Sequence, residues 1–270
     1  MKKSKKQIFI VDFIKSINKF DYYKQIANKK ISENIKYFFK LVILYSIILA
    51  VCTVININNG IKEFKNLIDE EITSLNYSSG ILSINNDENK TLFNKYVIID
   101  TSKENLEELE NKAQIVIGKE YCTVKLDNNI LKIKYNDYFY ADINKEDIIN
   151  ILSNLSIKFY IIMSVIVLIW IFILMTISTI TDVLVIATIG YIISKIINKQ
   201  FTFTNIFNIA IHAITLSVLL GGIYYIINSL TGFYMKYFSI MYTSIAIIYM
   251  MTSILLITSD NNENNNIQDD

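Results

Sequence analysis

Apolar and polar residues fall in long blocks along this chain. Five apolar runs nearly free of charge lie at residues 38–57, 159–179, 183–197, 206–227 and 238–258. A bilayer core takes about 20 mainly apolar residues per helix, and four of the five runs reach that length. Residues 58–158 form a polar block between the first run and the second. The pattern predicts an α-helical multi-pass membrane protein of about five spans, with a small α+β extracytoplasmic domain inserted after the first. The expected divisions are a basic cytoplasmic amphipathic segment over 1–37, a first span over 38–57, the inserted domain over 58–158, a four-helix membrane region over 159–258 and an acidic disordered tail over 259–270.

Inside the polar block the periodicity changes from segment to segment. Ile61, Phe64, Leu67, Ile68 and Leu75 recur at helical spacing, continuing from the membrane helix. Ser79-Gly80 signals a turn before a short strand over 81–84, and 85–90 reads as a polar loop. Residues 96–99 are an unbroken apolar run of the buried-strand type. Thr101 or Ser102 is placed to cap a helix over 103–113, with Glu104, Glu107 and Glu108 near its positive N-terminal end. Strands are predicted over 120–126 and 130–135, joined by Asp127-Asn128-Asn129. Asn144 with Asp147 predicts a capped helix leading into the second span.

Charge segregates strongly, which orients the chain. Residues 1–40 hold eleven lysines against Asp12, Asp21 and Glu33, a net of +8, while residues 58–158 hold twelve lysines against seventeen acids, a net of −5. Lysine retained on the cytoplasmic side puts the N-terminus inside and the inserted domain outside, whatever the domain's own charge. Five spans would leave the tail outside, with Lys195 and Lys199 on the outer face; a re-entrant hairpin over 159–197 would reverse the later segments. The chain has neither arginine nor proline. A cleaved signal peptide fits poorly, because nearly 40 residues precede the first apolar run and no small-residue cleavage site follows it.

The basic N-terminus carries its own pattern. Ile10, Phe13, Ile14, Ile17 and Phe20 recur at helical spacing with Asp12, Lys15, Asn18 and Lys19 on other faces. Such a helix suits the headgroup region of a bilayer or a docking partner. The bland alternative is a positively charged flank that happens to be helical.

The order of these features resembles a group of bacterial multi-pass membrane proteins of unknown function, some labelled maltodextrin-utilisation proteins. The resemblance covers nearly the whole chain. It rests on Ser16-Ile17 and Phe20 in the basic segment, Tyr45 in the first helix, the Gly80 turn, Asp100-Thr101 after an apolar strand, and residues 203–216 with Ala213 and Thr215. Where the family usually has proline this chain has Ser217, and where it commonly has asparagine before the glycine this chain has Ser79. The resemblance implies a plasma-membrane protein with an extracytoplasmic insert and supplies no catalytic residues.

Candidate chemistry is sparse. One histidine, His212, serves the entire chain, so a multi-histidine metal site is excluded, and Cys52 and Cys122 are too few and dispersed for zinc. Both cysteines read as packing thiols, with a disulfide between them the alternative. A serine–histidine–acid triad would have to use His212, inside the fourth span. Asp100 and Thr101, after a buried strand, read either as a helix cap or as a binding pair. Asp182 and His212 are the intramembrane polar candidates. Asp182 follows Ser178-Thr179-Ile180-Thr181, which predicts a tight interfacial turn between the second and third spans. His212 is placed to bond a neighbouring hydroxyl, and Gly221-Gly222 to let helices approach.

No cofactor or metal is called for. The expected partners are the lipid bilayer and a membrane-protein partner or transporter subunit, not nucleic acid, because the basic segment has neither a recognised fold nor interleaved aromatics. The leading expectation is a non-enzymatic binding, scaffold or sensing protein of the cell membrane. The alternatives are an accessory subunit or regulator of a sugar transporter and a membrane-embedded enzyme acting on lipid.

Overall fold

The computed structural model describes residues 9–84, 90–92, 96–103, 106–126, 129–197 and 201–266. In chain order the elements are α1 (Phe9–Asn18), α2 (Tyr22–Ala27), α3 (Ile31–Asn66) with a π-helical turn Leu67–Glu71, β1 (Leu75–Ser78), β2 (Ile81–Ile84), β3 (Lys90–Leu92), β4 (Val97–Ile99), α4 (Glu107–Glu110), β5 (Ile115–Ile117), β6 (Tyr121–Leu126), β7 (Asn129–Lys134), β8 (Ile143–Asn144), α5 (Lys145–Ser153), α6 (Ile157–Ile196), α7 (Phe203–Ala213), α8 (Thr215–Thr231) and α9 (Phe238–Asn266). The chain divides into two units, Met1–Ile55 with Ile162–Asp270, and Asn56–Ile161. Four helical stretches are long and apolar enough to cross a membrane: Ile31–Glu70, Ile157–Ile196, Phe203–Thr231 and Phe238–Ile257.

The expected turn at residues 178–182 does not form. The two runs at 159–179 and 183–197 are one helix, α6, of 40 residues. No proline interrupts this stretch, and Thr181, one of the residues that suggested a turn, bonds inside the helix, as does Thr176 a little before it. Thr176 donates to Phe172 O at 2.7 Å and Thr181 to Ile177 O at 2.8 Å, the i−4 back-bonding that hydroxyls use mid-helix. The fourth run, expected over 206–227, forms two helices that together reach from Phe203 to Thr231. Thr202 and Asn205 form a capping box ahead of α7, and Gly232, at φ 69°, ends α8 in the left-handed region. A one-residue interruption at Ile214 separates α7 from α8. The tail expected to be disordered from 259 instead continues as α9 through Asn266; extending an existing helix adds one hydrogen bond per residue without a new nucleus, even for poor helix formers.

In the helical unit the core gathers all these elements. Tyr23, Ile26, Leu41, Ile186, Ile209 and Ile254 are each fully buried. The basic N-terminal segment is part of this core: α1 and α2 pack on α7, α8 and α9 of the same chain. Phe9, Phe13 and Phe20 are packed against the core, while Ile10, Val11 and Ile14 stay exposed. The buried face of α1 is thus centred on Ser16, not on the apolar stripe the periodicity suggested.

The other unit is α+β. β1 and β2 form a hairpin across Ser79-Gly80, both residues having positive φ (51° and 84°), the two-residue turn that matches strand twist. A side chain at Gly80 would collide with Asn136. Sheet order is β2-β1-β8 and β3-β4-β5-β6-β7, antiparallel except for β4 beside β5. The larger sheet is covered on both faces. Ile98 packs with Leu106, Leu109 and Val116, and Ile99 with Ile68, Ile72 and Leu75, which explains an unbroken apolar strand. The capping box of Asn144 and Asp147 is present at α5.

Several expectations shift here. The helix expected to reach Leu75 ends at Glu71, and Leu75 begins β1. The helix expected over 103–113 is the single turn α4, with Leu106 at its N-cap and no side-chain cap. Strands β1, β5 and β8 carried no clear signal because they are two to four residues long. Residues 85–89, Glu104 and the turn residues Asp127 and Asn128 lie outside the described residues.

Continuity of α6 has a direct test. In a background with Cys52 and Cys122 replaced by alanine, spin labels at Ile166→Cys and Ile192→Cys are expected about 40 Å apart, 26 residues at about 1.5 Å each. Two helices folded back at 178–182 would bring them to about 10 Å. A short distance by double electron–electron resonance would refute the single helix.

Candidate functional site

A dense buried polar cluster is built around His212, two residues before the α7–α8 interruption at Ile214. Its ring is 1% exposed. Nδ1 lies 2.7 Å from Ser16 Oγ of α1, and Nε2 lies 3.1 Å from Asn34 Oδ1 of α3. The Tyr37 ring stacks on the imidazole at 4.0 Å, and the Tyr37 hydroxyl pairs with Thr215 Oγ1 at 2.9 Å. Two other helices, α1 and α3, therefore meet the imidazole of α7, and Thr215 of α8 joins them through Tyr37. A neutral imidazole offers one donor and one acceptor. If Ser16 donates to Nδ1, Nε2–H donates to Asn34 Oδ1. If Ser16 instead donates to Asp12 O, 2.7 Å away, Nδ1–H donates to Ser16 and Nε2 accepts from a rotated Asn34 amide. With the amide as drawn, Asn34 Nδ2 has no hydrogen-bond partner. Rotation would strand Oδ1 in its place.

A second tier of bonds ties α1 and α2 to the bundle by their orphan carbonyls. Helix C-termini leave carbonyls without intrahelical partners. Tyr249 of α9 donates to Ile17 O at 3.0 Å, and Tyr23 to Ser16 O at 2.7 Å. Asn205 donates to Ala27 O at 2.7 Å while its own oxygen closes the Thr202 capping box, and Asn208 donates to Lys29 O at 2.9 Å. At the outer edge the Tyr22 hydroxyl donates to Asp12, and Lys29 donates to the Tyr22 hydroxyl at 2.8 Å. Lys29 also sits 3.8 Å from Asp12. Burial, then the bond to Asp12, push the Tyr22 phenol well above its ordinary value, so it remains a donor.

The serine–histidine–asparagine arrangement meets the distance criterion for an activated nucleophile oriented by a third group. Ser16, however, is 1% exposed, and its hydroxyl has its own carbonyl to serve. As folded, the cluster is a clasp between segments up to 196 residues apart.

The other predicted residues lie elsewhere. Asp182 is half-buried in mid-helix, within electrostatic reach of the Tyr45 and Tyr242 hydroxyls, and is not part of the His212 cluster. Gly221 lies beside that group: a Cβ there would come within 2.8 Å of Tyr45 Oη. Asp100 is 4% exposed and turned onto its own loop. Its Oδ1 accepts from Ser102 N at 3.0 Å and from Ser102 Oγ at 2.6 Å, while Thr101 Oγ1 accepts from Ile84 N at 3.3 Å. Neither Thr101 nor Ser102 caps a helix; the side-chain turn redirects the chain before α4. Cys52 and Cys122 are both free, and burial pushes the Cys122 thiol up. Sequence reasoning singled out His212 but missed Ser16, Asn34, Tyr37 and Thr215. A serine on the polar side of an amphipathic helix looks like ordinary solvated surface.

Removing the imidazole without adding a partner leaves Ser16 and Asn34 facing an apolar group, at a cost of about 1–3 kcal/mol. His212→Leu is therefore expected to raise the open population of α1–α2 by about 5- to 150-fold. Limited trypsin cleavage at Lys24 and Lys29 in detergent-solubilised protein reports that population. Cleavage unchanged from wild type would mean that the network does not hold the segment.

No curated protein and no solved structure matches the chain. The sequence profile of a family described as "Protein of unknown function (DUF1189)" matches residues 10–254, from inside α1 to near the end of the apolar part of α9. With nearly its whole length matched, the chain belongs to that family.

Proposed function

We propose that this is a multi-pass membrane protein that works by binding: its inserted unit, on the extracytoplasmic side, contacts a protein partner, and the basic N-terminal segment stays cytoplasmic. The observation that carries the reading is the outer edge of the five-stranded sheet. β7 is terminal in the strand order, and Leu126, Ile130 and Leu131 around its start are 58%, 47% and 51% exposed. An edge strand with exposed aliphatic residues is a template for another chain, because it offers both unpaired backbone groups and apolar area. The +8 charge of residues 1–40 supports the orientation.

A second reading, an accessory subunit of a transporter, is favoured by α6. No residue in its most apolar stretch is buried among the described residues, and Trp170 is 62% exposed, leaving room for a neighbouring helix in the membrane. The third, a lipid-acting enzyme, draws on the Ser16–His212 pair and requires α1 to lift away. Ser16→Ala abolishing turnover while leaving trypsin resistance intact would favour it.

A photo-crosslinking residue at Ile130 or Leu131 in intact cells is expected to give one discrete adduct, weakened several-fold at position 130 by Leu131→Lys. A membrane-impermeant thiol reagent is expected to label Tyr140→Cys but not Gln25→Cys. No adduct at either β7 position sinks the partner reading, and labelling at Gln25→Cys in unlysed cells reverses the orientation.

A further inference from the structure

The inserted unit contains a cavity of about 420 Å³ between its sheets, the end of α3 and α5. Phe64, Ile68, Leu82, Ile84, Ile99 and Leu152 are among its walls. That volume falls in the range of small-molecule sites, and its lining is apolar throughout. The lining groups with polar atoms are already committed. Tyr77 donates to Phe139 O at 2.9 Å and Tyr135 to Gly118 O at 3.0 Å. Burial holds the Tyr135 phenol and the Cys122 thiol in their protonated forms.

Such a site selects its occupant by exclusion. Water is disfavoured, since it needs several polar partners. A peptide would bring amide groups that the walls do not satisfy. Left unoccupied, its apolar walls stay exposed through the open side, area that an apolar occupant would cover at about 25 cal/mol per Å². An alkyl chain needs no hydrogen bond and fills the volume with dispersion contacts. Two further features point to lipid as its source. Phe64 and Ile68 belong to Ile31–Glu70, a helix apolar enough to span a membrane, and α5 leads within a few residues into another, Ile157–Ile196. On the open side, the lining residues Phe139 and Ile151 are 51% and 61% exposed, and Tyr138 and Tyr140 beside Phe139 are 67% and 90% exposed. Aromatic residues of this kind favour the membrane interface.

We propose that this cavity binds one acyl chain of a membrane phospholipid. The inference deepens the binding role proposed above by giving the inserted unit a lipid ligand as well as a protein surface, and it rests on that reading only for the side of the membrane supplying the lipid.

The test uses the full-length protein in lipid nanodiscs containing a phospholipid with a diazirine near the end of one acyl chain. After irradiation, mass spectrometry is expected to find adducts in peptides covering residues 64–84 and 143–152. Ile151→Glu, an exposed change at the mouth, and Leu82→Trp, which fills the interior, should each lower that yield at least fivefold. Lys112→Glu, exposed just after α4 and outside the cavity, should leave it unchanged. Equal yields in all variants, or wild-type adducts confined to the membrane helices, overturn the proposal. So does labelling by a free diazirine fatty acid without labelling by the phospholipid. Should Leu82→Trp unfold the unit, Ile151→Glu alone decides. Crosslinking from position 130 in the same variants separates the two readings: protein adducts retained while lipid adducts are absent in wild type defeat only the lipid site, and the converse defeats only the partner.

Discussion

An imidazole at 1% exposure has to find hydrogen bonds inside the protein, and that requirement organises the helical unit. His212 can be buried only because Ser16 and Asn34 come to its two nitrogens, and each brings a helix with it. An unmade bond to a buried polar group costs more than a made one contributes, so the network acts mainly by penalising any state in which α1 or α3 moves away. Tyr37 adds ring area on one face and closes on Thr215. The apolar packing of Tyr23, Ile26 and Ile209 supplies most of the attraction; the polar contacts fix which surfaces meet and in what register.

The same requirement governs the helix ends. α2 has six residues, far too few to persist alone in water. It is held from outside, because Asn205 completes the carbonyl of its last residue, Ala27, and Asn208 that of Lys29 just beyond. Asn205 does so while closing the box that starts α7, so the end of one helix and the start of another share a single side chain. In α6 the hydroxyls of Thr176 and Thr181 turn back on their own helix, so neither presents an unmade donor on its apolar exterior.

How much of this was legible in the sequence depends on whether the signal was local. The apolar blocks, the Ser79-Gly80 turn, the Asn144 capping box and the strands β4, β6 and β7 follow from patterns a few residues long, and the structure has them all. The mistaken turn at 178–182 was also a local judgement, defeated because a hydroxyl suits a helix interior as well as a turn. The clasp was illegible for a different reason. Ser16 and His212 are 196 positions apart, and no periodicity relates them. Only the residue type at 212 hinted that something must approach it. Ser16 and Thr215, both among the residues carrying the family resemblance, turn out to belong to that clasp, though the resemblance gave them no role.

The two units treat polarity in opposite ways. Among the described residues of the helical unit ten polar side chains are buried, and Asn34 Nδ2, Asn208 Oδ1 and Ser46 Oγ are their buried atoms without a partner; the bonds that the others make specify one closed state. In the inserted unit Tyr77 and Tyr135 turn their hydroxyls to backbone carbonyls, and the remaining space has nothing to hydrogen-bond. A polar clasp is stringent about geometry because hydrogen bonds are directional. An apolar cavity is tolerant, because burial scales with area and not with angle. A protein whose anchoring must be exact and whose ligand varies in chain length or unsaturation would be built in this way, with directional bonds spent on its own segments and non-directional contact left for the guest.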